Sequence, residues 1–433
     1  MSKKSIGLFT ATSIVISSMI GVGVFTSLGY QVEGLSSGFS ILLLWVLGGF
    51  AALLGAFCYA ELGAAMPRSG GEYNFLSTIY HPLLGFLSGW ISATVGFSAP
   101  IAASAMAFGK YINAVFPTCS AQLTAIIVIV VVAGIHSLHI SVSKKFQVIT
   151  TVLNVLIIIT LIVVGLSVKP TGDISFAFSV NDISSSGFAI SFFFVSLAYS
   201  GWNASAYIAG EIKDVHKNLP RSLLLGTVIV GVLYILINYV FLRCSPVADI
   251  KGKAEVGIIA SRFILGETGG NVMGLIIALL LLASVSSMIF AGPRVIETIG
   301  SDFKLFKLFA RRSKNESPIY AILLQGIIAI LFVITAKFDE VITYISFTLN
   351  LFLLITVLGL IVLRVRQPNL PRPYKTPLYP LIPILFLLIS GWLTYQGFLQ
   401  KPTESLYGLA TVFSGVAFYV LNKLLSKSDE ASN

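Results

Sequence analysis

Apolar runs separated by short polar breaks dominate the chain, and a helix needs about 20 such residues to cross hydrocarbon. Ile6–Leu28, Ser40–Met66, Pro82–Gly109, Gln122–Leu138, Phe146–Val168 and Gly187–Gly210 approach or exceed that length. Ser222–Leu242, Val272–Gly292, Ile319–Ala336, Val341–Leu363, Pro380–Phe398 and Leu406–Leu425 complete twelve predicted spans. Strands of a membrane barrel would be about ten residues long and alternating, so a barrel is excluded. The longest polar stretches are Ser301–Ser317 and Cys244–Gly270. Within the second, Val256–Leu265 is expected to lie on the membrane surface as a short helix.

Two spans break their own pattern. The first carries Ser17-Ser18-Met19-Ile20-Gly21-Val22-Gly23-Val24-Phe25, a glycine pair at mid-depth, and the sixth carries Ala198-Tyr199-Ser200-Gly201-Trp202-Asn203 at similar depth. Each glycine costs a helix up to about 1 kcal/mol, and neighbouring Ser and Asn permit local unwinding. Unwound backbone at that depth is tolerated only where it is buried or lines a cavity. Spans one and six correspond if the first ten helices form two five-helix repeats, the second necessarily inverted. Matched interruptions point to a transporter's binding site. Close helix packing is the other use of membrane glycines; a single pair would favour it, whereas the coincidence of two favours a site.

Composition extends the membrane reading to the whole chain: 56% of its 433 residues are hydrophobic and 11% charged, against about a quarter charged in soluble domains. The net charge of +10 is mostly an asymmetry. With the N-terminus in the cytoplasm, roughly 20 of the 28 Lys and Arg fall on the cytoplasmic side. Only Lys110, Lys169, Arg243, Lys251, Lys253, Arg262, Lys337 and Lys401 fall outside. Both termini are therefore expected on the cytoplasmic side of the cell membrane. Lys3 and Lys4 before an apolar run imitate a signal peptide, but the run is long and lacks an A-x-A cleavage site, so it reads as an uncleaved first helix. No basic cluster is interleaved with exposed aromatics, which argues against nucleic acid. Cys58, Cys119 and Cys244 give no disulfide framework, although Cys119 and Cys244 both sit near the outer face and their pairing stays open. His136 and His139, one turn apart, do not by themselves make a metal site.

Several segments together resemble a known family. Tyr59-Ala60-Glu61-Leu62-Gly63-Ala64-Ala65-Met66-Pro67-Arg68-Ser69-Gly70-Gly71-Glu72-Tyr73 is similar to the end of helix two and the following loop in amino acid permeases of the amino acid–polyamine–organocation superfamily. Gly21–Phe25 resembles that family's broken first helix, and Ala198–Asn203 the sixth helix of its L-amino-acid transporter branch. Gly210–Asp214, Asn218–Pro220, Ala291–Val295 and Arg372–Pro380 fit in order along nearly the whole chain. The resemblance implies an all-α integral membrane fold of twelve transmembrane helices. Residues 5–168 and 187–363 would form a 5+5 inverted-repeat core with helices 1 and 6 broken, and 374–425 two accessory helices. Residues 1–433 would then be a single transport domain, moving substrate by alternating access without transforming it and needing no cofactor.

An amino acid carries a carboxylate and an ammonium that must be desolvated together. Free N–H groups around Gly21, Val22 and Gly23, just after Ile20, present the positive end of a helix dipole to the carboxylate. Carbonyls around Leu197, Ala198, Tyr199 and Ser200, before Gly201, accept from the ammonium, and Ser17 and Ser18 add hydroxyls. Spans three to five carry no acid, as expected of a site built on backbone dipoles rather than ion pairs. Tyr199 and Trp202 are candidates for an aromatic lid or for helix packing. Ser284, Ser286 and Ser287 are either a pocket or ion-site wall or serines bonded back to their own helix. Glu61, Glu211 and Arg294 are either an inner gate or solvated residues near the interface. Asn154 stands where many family members carry a lysine that replaces a cation, so proton coupling there is in doubt; a cross-helix hydrogen bond is the alternative.

The reading is a permease or exchanger for amino acids, neutral L-amino acids in particular, in contact with the bilayer and with a proton or sodium ion as candidate coupling partner. A protein partner leaves no signature. A polyamine or other organic cation would want acids in the pocket, and these are scarce. An embedded enzyme is opposed by the absence of H-E-x-x-H, G-x-S-x-G and P-loop patterns. Paired broken helices favour alternating access over an open channel.

Overall fold

The computed structural model describes residues 6–138, 140–313 and 317–432. Lys3, Lys4, His139 and Lys314 lie outside the described residues, as do the side chains of Lys144, Lys145 and Lys427. Eighteen α-helices run in chain order: α1 (Leu8–Met19), α2 (Val22–Gly34), α3 (Gly38–Ala65), α4 (Glu72–Ile79), α5 (Pro82–Ile91), α6 (Ser98–Val115), α7 (Ala121–Leu138), α8 (Ile140–Ser167) and α9 (Val180–Ile183). They continue with α10 (Ser186–Ala198), α11 (Ala204–Tyr207), α12 (Val215–Cys244), α13 (Val247–Ile250), α14 (Val256–Asp302), α15 (Ile319–Thr335), α16 (Phe338–Arg366), α17 (Leu381–Gln400) and α18 (Pro402–Ser432). A π-helical turn, Ser92–Gly96, joins α5 to α6.

Among the described residues, nine helices or helix pairs are long and apolar enough to cross a membrane, and Thr151–Ser167, Ser186–Ala198 and Ile319–Thr335 are shorter apolar helices. The chain is a multi-pass membrane protein. Its peripheral helices turn Leu123, Ile127, Val130, Leu323, Ile327 and Phe413 outward, while the interior holds small and polar residues such as Ser17, Ser104, Ser284 and Asn238. That inside-out distribution suits a protein whose solvent is lipid. Helices α3 and α12 pack along each other, as do α6 and α14, and α1 lies against α12.

Local chemistry sets several boundaries. Ser37 caps α3 by accepting from the N–H groups of Phe39 and Ser40, and Ser185 caps α10 through Phe188. Pro82 opens α5 at the position where its missing N–H costs nothing. One expectation changes. The inner half of span six is not a continuous helix but the single turn of α11 followed by a 3-10 turn at Ala209–Glu211. Val256–Leu265 is helical, with a kink at Gly266, and packs Val256, Ile258 and Ala260 against the protein. All three cysteines are free, which removes the Cys119–Cys244 pairing.

Short backbone links tie the ends of the bundle. On the face carrying Arg68, Arg364 and Arg372, hereafter the basic face, the Ile6 N–H donates to Glu211 O at 3.0 Å and the Lys213 N–H to Ile6 O at 2.9 Å. On the opposite face the Gly38 N–H donates to Ser175 O at 2.8 Å, and Asp182 accepts from the Ser36 and Ser37 N–H groups.

Candidate functional site

The first interruption lies where the glycine pair predicts it. Helix α1 stops at Met19, Ile20 and Gly21 are extended, and α2 starts at Val22. Tyr234 of α12, a residue absent from the sequence-based site, bridges the gap. Its phenol donates to the Met19 carbonyl at 2.5 Å and faces the Gly21 N–H as acceptor. One side chain thus satisfies the last carbonyl of α1 and stands beside the N–H side of the break.

The second interruption follows α10. The Tyr199 N–H closes on Val195 O, the Ser200 N–H takes the Leu197 carbonyl at 2.9 Å, and Gly201 adopts φ +96°, a region that favours glycine. The Leu197 carbonyl is therefore already occupied. The two interruptions meet: a β-carbon on Gly201 would stand 2.5 Å from Ser18 O, and one on Gly23 would stand 2.5 Å from the Ala198 Cα.

The three serines of α14 reach across helices and are not bonded only to their own turn. Ser287 Oγ pairs with Ser18 Oγ at 3.1 Å, Ser284 with Ser104 of α6 at 3.2 Å, and Ser286 with His136 Nε2 at 2.7 Å. Ser284 Oγ is also the nearest atom to the open side of Gly21. Ser17, by contrast, bonds back to Ile14 O. Asn154 is buried, and neither end of its amide has a hydrogen-bond partner; the cross-helix bond considered for it is not made.

Beside the second break lies a cavity of about 110 Å³, room for several waters or a small solute. Leu197, Tyr199, Ser200, Gly201, Trp202 and Asn203 line one wall, and α3, the π-helical turn, α16 and α17 supply the others. Ser17, Ser18, Ile20, Gly21, Val22 and Gly23 do not line it. Tyr199 is wedged against Trp45 and Tyr234 with its hydroxyl on the Trp45 carbonyl at 2.9 Å. Trp202 packs edge-on to Tyr59, with ring centroids 4.8 Å apart, and against Phe386.

Sequence reasoning missed the acid in this wall. Glu72, the first residue of α4, is buried and lines the cavity. Its Oε1 accepts from Tyr59 Oη at 2.7 Å and Asn203 Nδ2 at 2.6 Å. The scarcity of acids inside the spans remains, but a loop carboxyl reaches the space between them. Positive φ at Gly70 and Gly71 makes this possible by turning the chain back toward Tyr207, whose carbonyl accepts from the Gly70 N–H. The glycine doublet before an acid was the available signal.

The three charged residues considered as a gate divide. Arg294 pairs with Glu211 at 3.3 Å and lies over the Phe290 ring at 3.6 Å. Glu61 pairs elsewhere, with Arg364 at 2.6 Å and Arg372 at 3.3 Å, and accepts from the Thr376 N–H at 2.7 Å. It anchors the end of α16 and the following linker, not Arg294. Among the described residues no three His, Cys, Asp or Glu side chains gather to hold a metal.

Comparison with known proteins agrees with this architecture. The family model for amino acid permease matches residues 6–420. The chain is 30% identical over 430 residues to b(0,+)-type amino acid transporter 1 of Mus musculus, covering 97% of this chain and 88% of that protein. It is also 30% identical to the large neutral amino acids transporter small subunit 2 of Homo sapiens, covering 97% and 80%, and to Asc-type amino acid transporter 1 of Mus musculus, covering 97% and 81%. On its helical membrane fold and this match along nearly its whole length, the chain belongs to the amino acid permease family.

Proposed function

We propose that the protein is a secondary transporter that moves amino acids, neutral L-amino acids in particular, across the cell membrane by alternating access. The observation that carries this reading is the contact between two interrupted helices, Gly201 on the Ser18 carbonyl and Gly23 on Ala198. Such paired breaks place unsatisfied N–H and carbonyl groups at one depth, where a zwitterion needs both. The amino acid transporters at 30% identity support the substrate class.

In this reading the twelve spans form two inverted five-helix repeats and two accessory helices, with both termini cytoplasmic. Substrate carboxylate binds the N–H groups of Val22 and Gly23, with Ser17, Ser18 and Ile20 beside it. The ammonium meets carbonyls of Ala198, Tyr199 and Ser200, and the side chain extends into the cavity under Trp202. Ser284, Ser286 and Ser287 form the wall behind the first break, and Asn154 lies on α8, a helix packed along α1. Glu211–Arg294 is the pair that parts when the basic face opens. A transporter for polyamines is the alternative, and Glu72 in the cavity wall is the one observation in its favour.

Uptake of a panel of labelled amino acids and polyamines into proteoliposomes tests the proposal, repeated with sodium, with a pH gradient and with internal amino acid. Neutral amino acids are expected to move. Movement of polyamines alone, or of nothing, overturns it.

A further inference from the structure

Among the described residues that line the central cavity, Glu72 is the only acid, and no Lys, Arg or His is ion-paired with it. A carboxylate withdrawn from water without a cation costs several kcal/mol, and such groups commonly neutralise by taking up a proton. The hydrogen bonds from Tyr59 and Asn203 both land on Oε1, so a proton on Oε2 leaves those bonds intact.

Among the described residues the neighbouring charges are committed to other partners, Arg68 of the preceding loop to Asp302. Tyr59 on α3 and Tyr207 on α11 are the ionisable side chains that face Glu72. Helix α5 contains no charged residue. Helix α16 commits Arg364 to Glu61 and Arg366 to the Ile79 carbonyl at the far end of α4. Tyr73, the next residue, is committed to Asp302 of α14 at 2.5 Å. The start of α4 favours an anion, but burial outweighs it and holds the carboxyl above the usual carboxylate range. Opposed influences of this kind leave a group sensitive to small changes in hydration.

The position couples that sensitivity to movement. Asn203 and Tyr207 belong to the segment that follows the Gly201 break, and the Gly70 N–H is bonded to Tyr207 O at 3.1 Å. A shift of that segment away from α4 would withdraw Asn203 from Oε1 and admit water.

Resting on the transport reading above, we propose that Glu72 is the proton site of the cycle. The carboxylate takes one H⁺ from water while the cavity faces away from the basic face. It returns that H⁺ to water when the basic face opens, so one proton crosses with each zwitterion and the carboxylate is regenerated.

Proteoliposomes loaded with a pH-sensitive dye test this directly. In the wild type, addition of a neutral amino acid acidifies the lumen. An inward proton gradient of about one unit drives accumulation toward about tenfold. In Glu72→Gln, an isostere of the protonated acid, residual amino acid exchange no longer responds to the gradient and no acidification accompanies it. Tyr59→Phe, which removes one Oε1 donor, shifts the pH profile of uptake. Amino acid exchange in the wild type without proton movement overturns the proton site and leaves the transport reading standing. Gradient-driven accumulation that persists in Glu72→Gln overturns it as well. Absence of any amino acid exchange in the wild type defeats the transport reading and this inference together.

Discussion

Gly201 faces Ser18 across the two helix interruptions, and a β-carbon on the glycine would stand 2.5 Å from the Ser18 carbonyl oxygen. The contact fixes the geometry of both breaks at once. Gly201→Ala adds a methyl to a backbone at φ +96°, a strain of about 1–3 kcal/mol, and forces the breaks apart. Uptake is expected to fall at least about tenfold in protein that still elutes as a single species. Gly231→Ala in α12, where nothing lies within 4 Å, is the control and leaves uptake within about twofold.

Tyr234 holds the first break through the Met19 carbonyl and stands beside the Gly21 N–H. Tyr234→Phe leaves the buried Met19 carbonyl unpaired, at about 1–3 kcal/mol. Thermal unfolding in detergent should show a lower midpoint, and added substrate should restore part of the loss by donating to the freed carbonyl. An unchanged midpoint contradicts the bridging role.

Glu61 and Glu211 look alike in sequence but face different partners. Glu61→Gln leaves Arg364 and Arg372 together without their anion, and a loss of about 3–5 kcal/mol is expected, read as poor yield or a low melting point. Glu211→Gln weakens a single contact at 3.3 Å and should cost less than about 2 kcal/mol. Its expected signature is kinetic: faster labelling of a cysteine introduced behind the pair on the basic face. Equal stability losses for the two variants would contradict the division.

Stability should also record Glu72. Burial raises its pKa in the folded protein, so the native state binds more protons than the unfolded chain between the usual carboxylate value and the raised one. Stability from this group is complete below that window and declines as pH rises through it. Melting curves from about pH 5 to pH 8 should fall more steeply for the wild type than for Glu72→Gln. Parallel curves would show that the carboxyl is not so perturbed.

Gly21 and Gly201 were readable as helix breaks because a mid-span glycine is costly unless the backbone needs it, whereas Gly23 lies inside α2 and makes room for Ala198. Lipid-length runs located the long helices for the same reason of energy. What lay beyond the sequence were contacts made by residues far apart along it. Glu72 stands in a polar loop, and only the turn at Gly70 and Gly71 carries it into the cavity wall. Tyr234 sits in an unbroken apolar run, with no local pattern to distinguish a capping phenol from a packed one. Span six gave its break but not the loss of helix after it, because Ala204–Gly210 has ordinary helix-forming composition. Ser284, Ser286 and Ser287 were recognised as a polar set, yet their partners Ser104, His136 and Ser18 lie on three other helices.

The central claim is that an amino acid binds where the two interruptions meet, and equilibrium binding to purified protein measures it most directly. A labelled neutral L-amino acid should bind saturably to the wild type. Unlabelled neutral amino acids should displace it, polyamines should not, and Gly201→Ala should abolish binding. Binding of polyamines in place of amino acids, or amino acid binding that survives Gly201→Ala unchanged, would contradict the account.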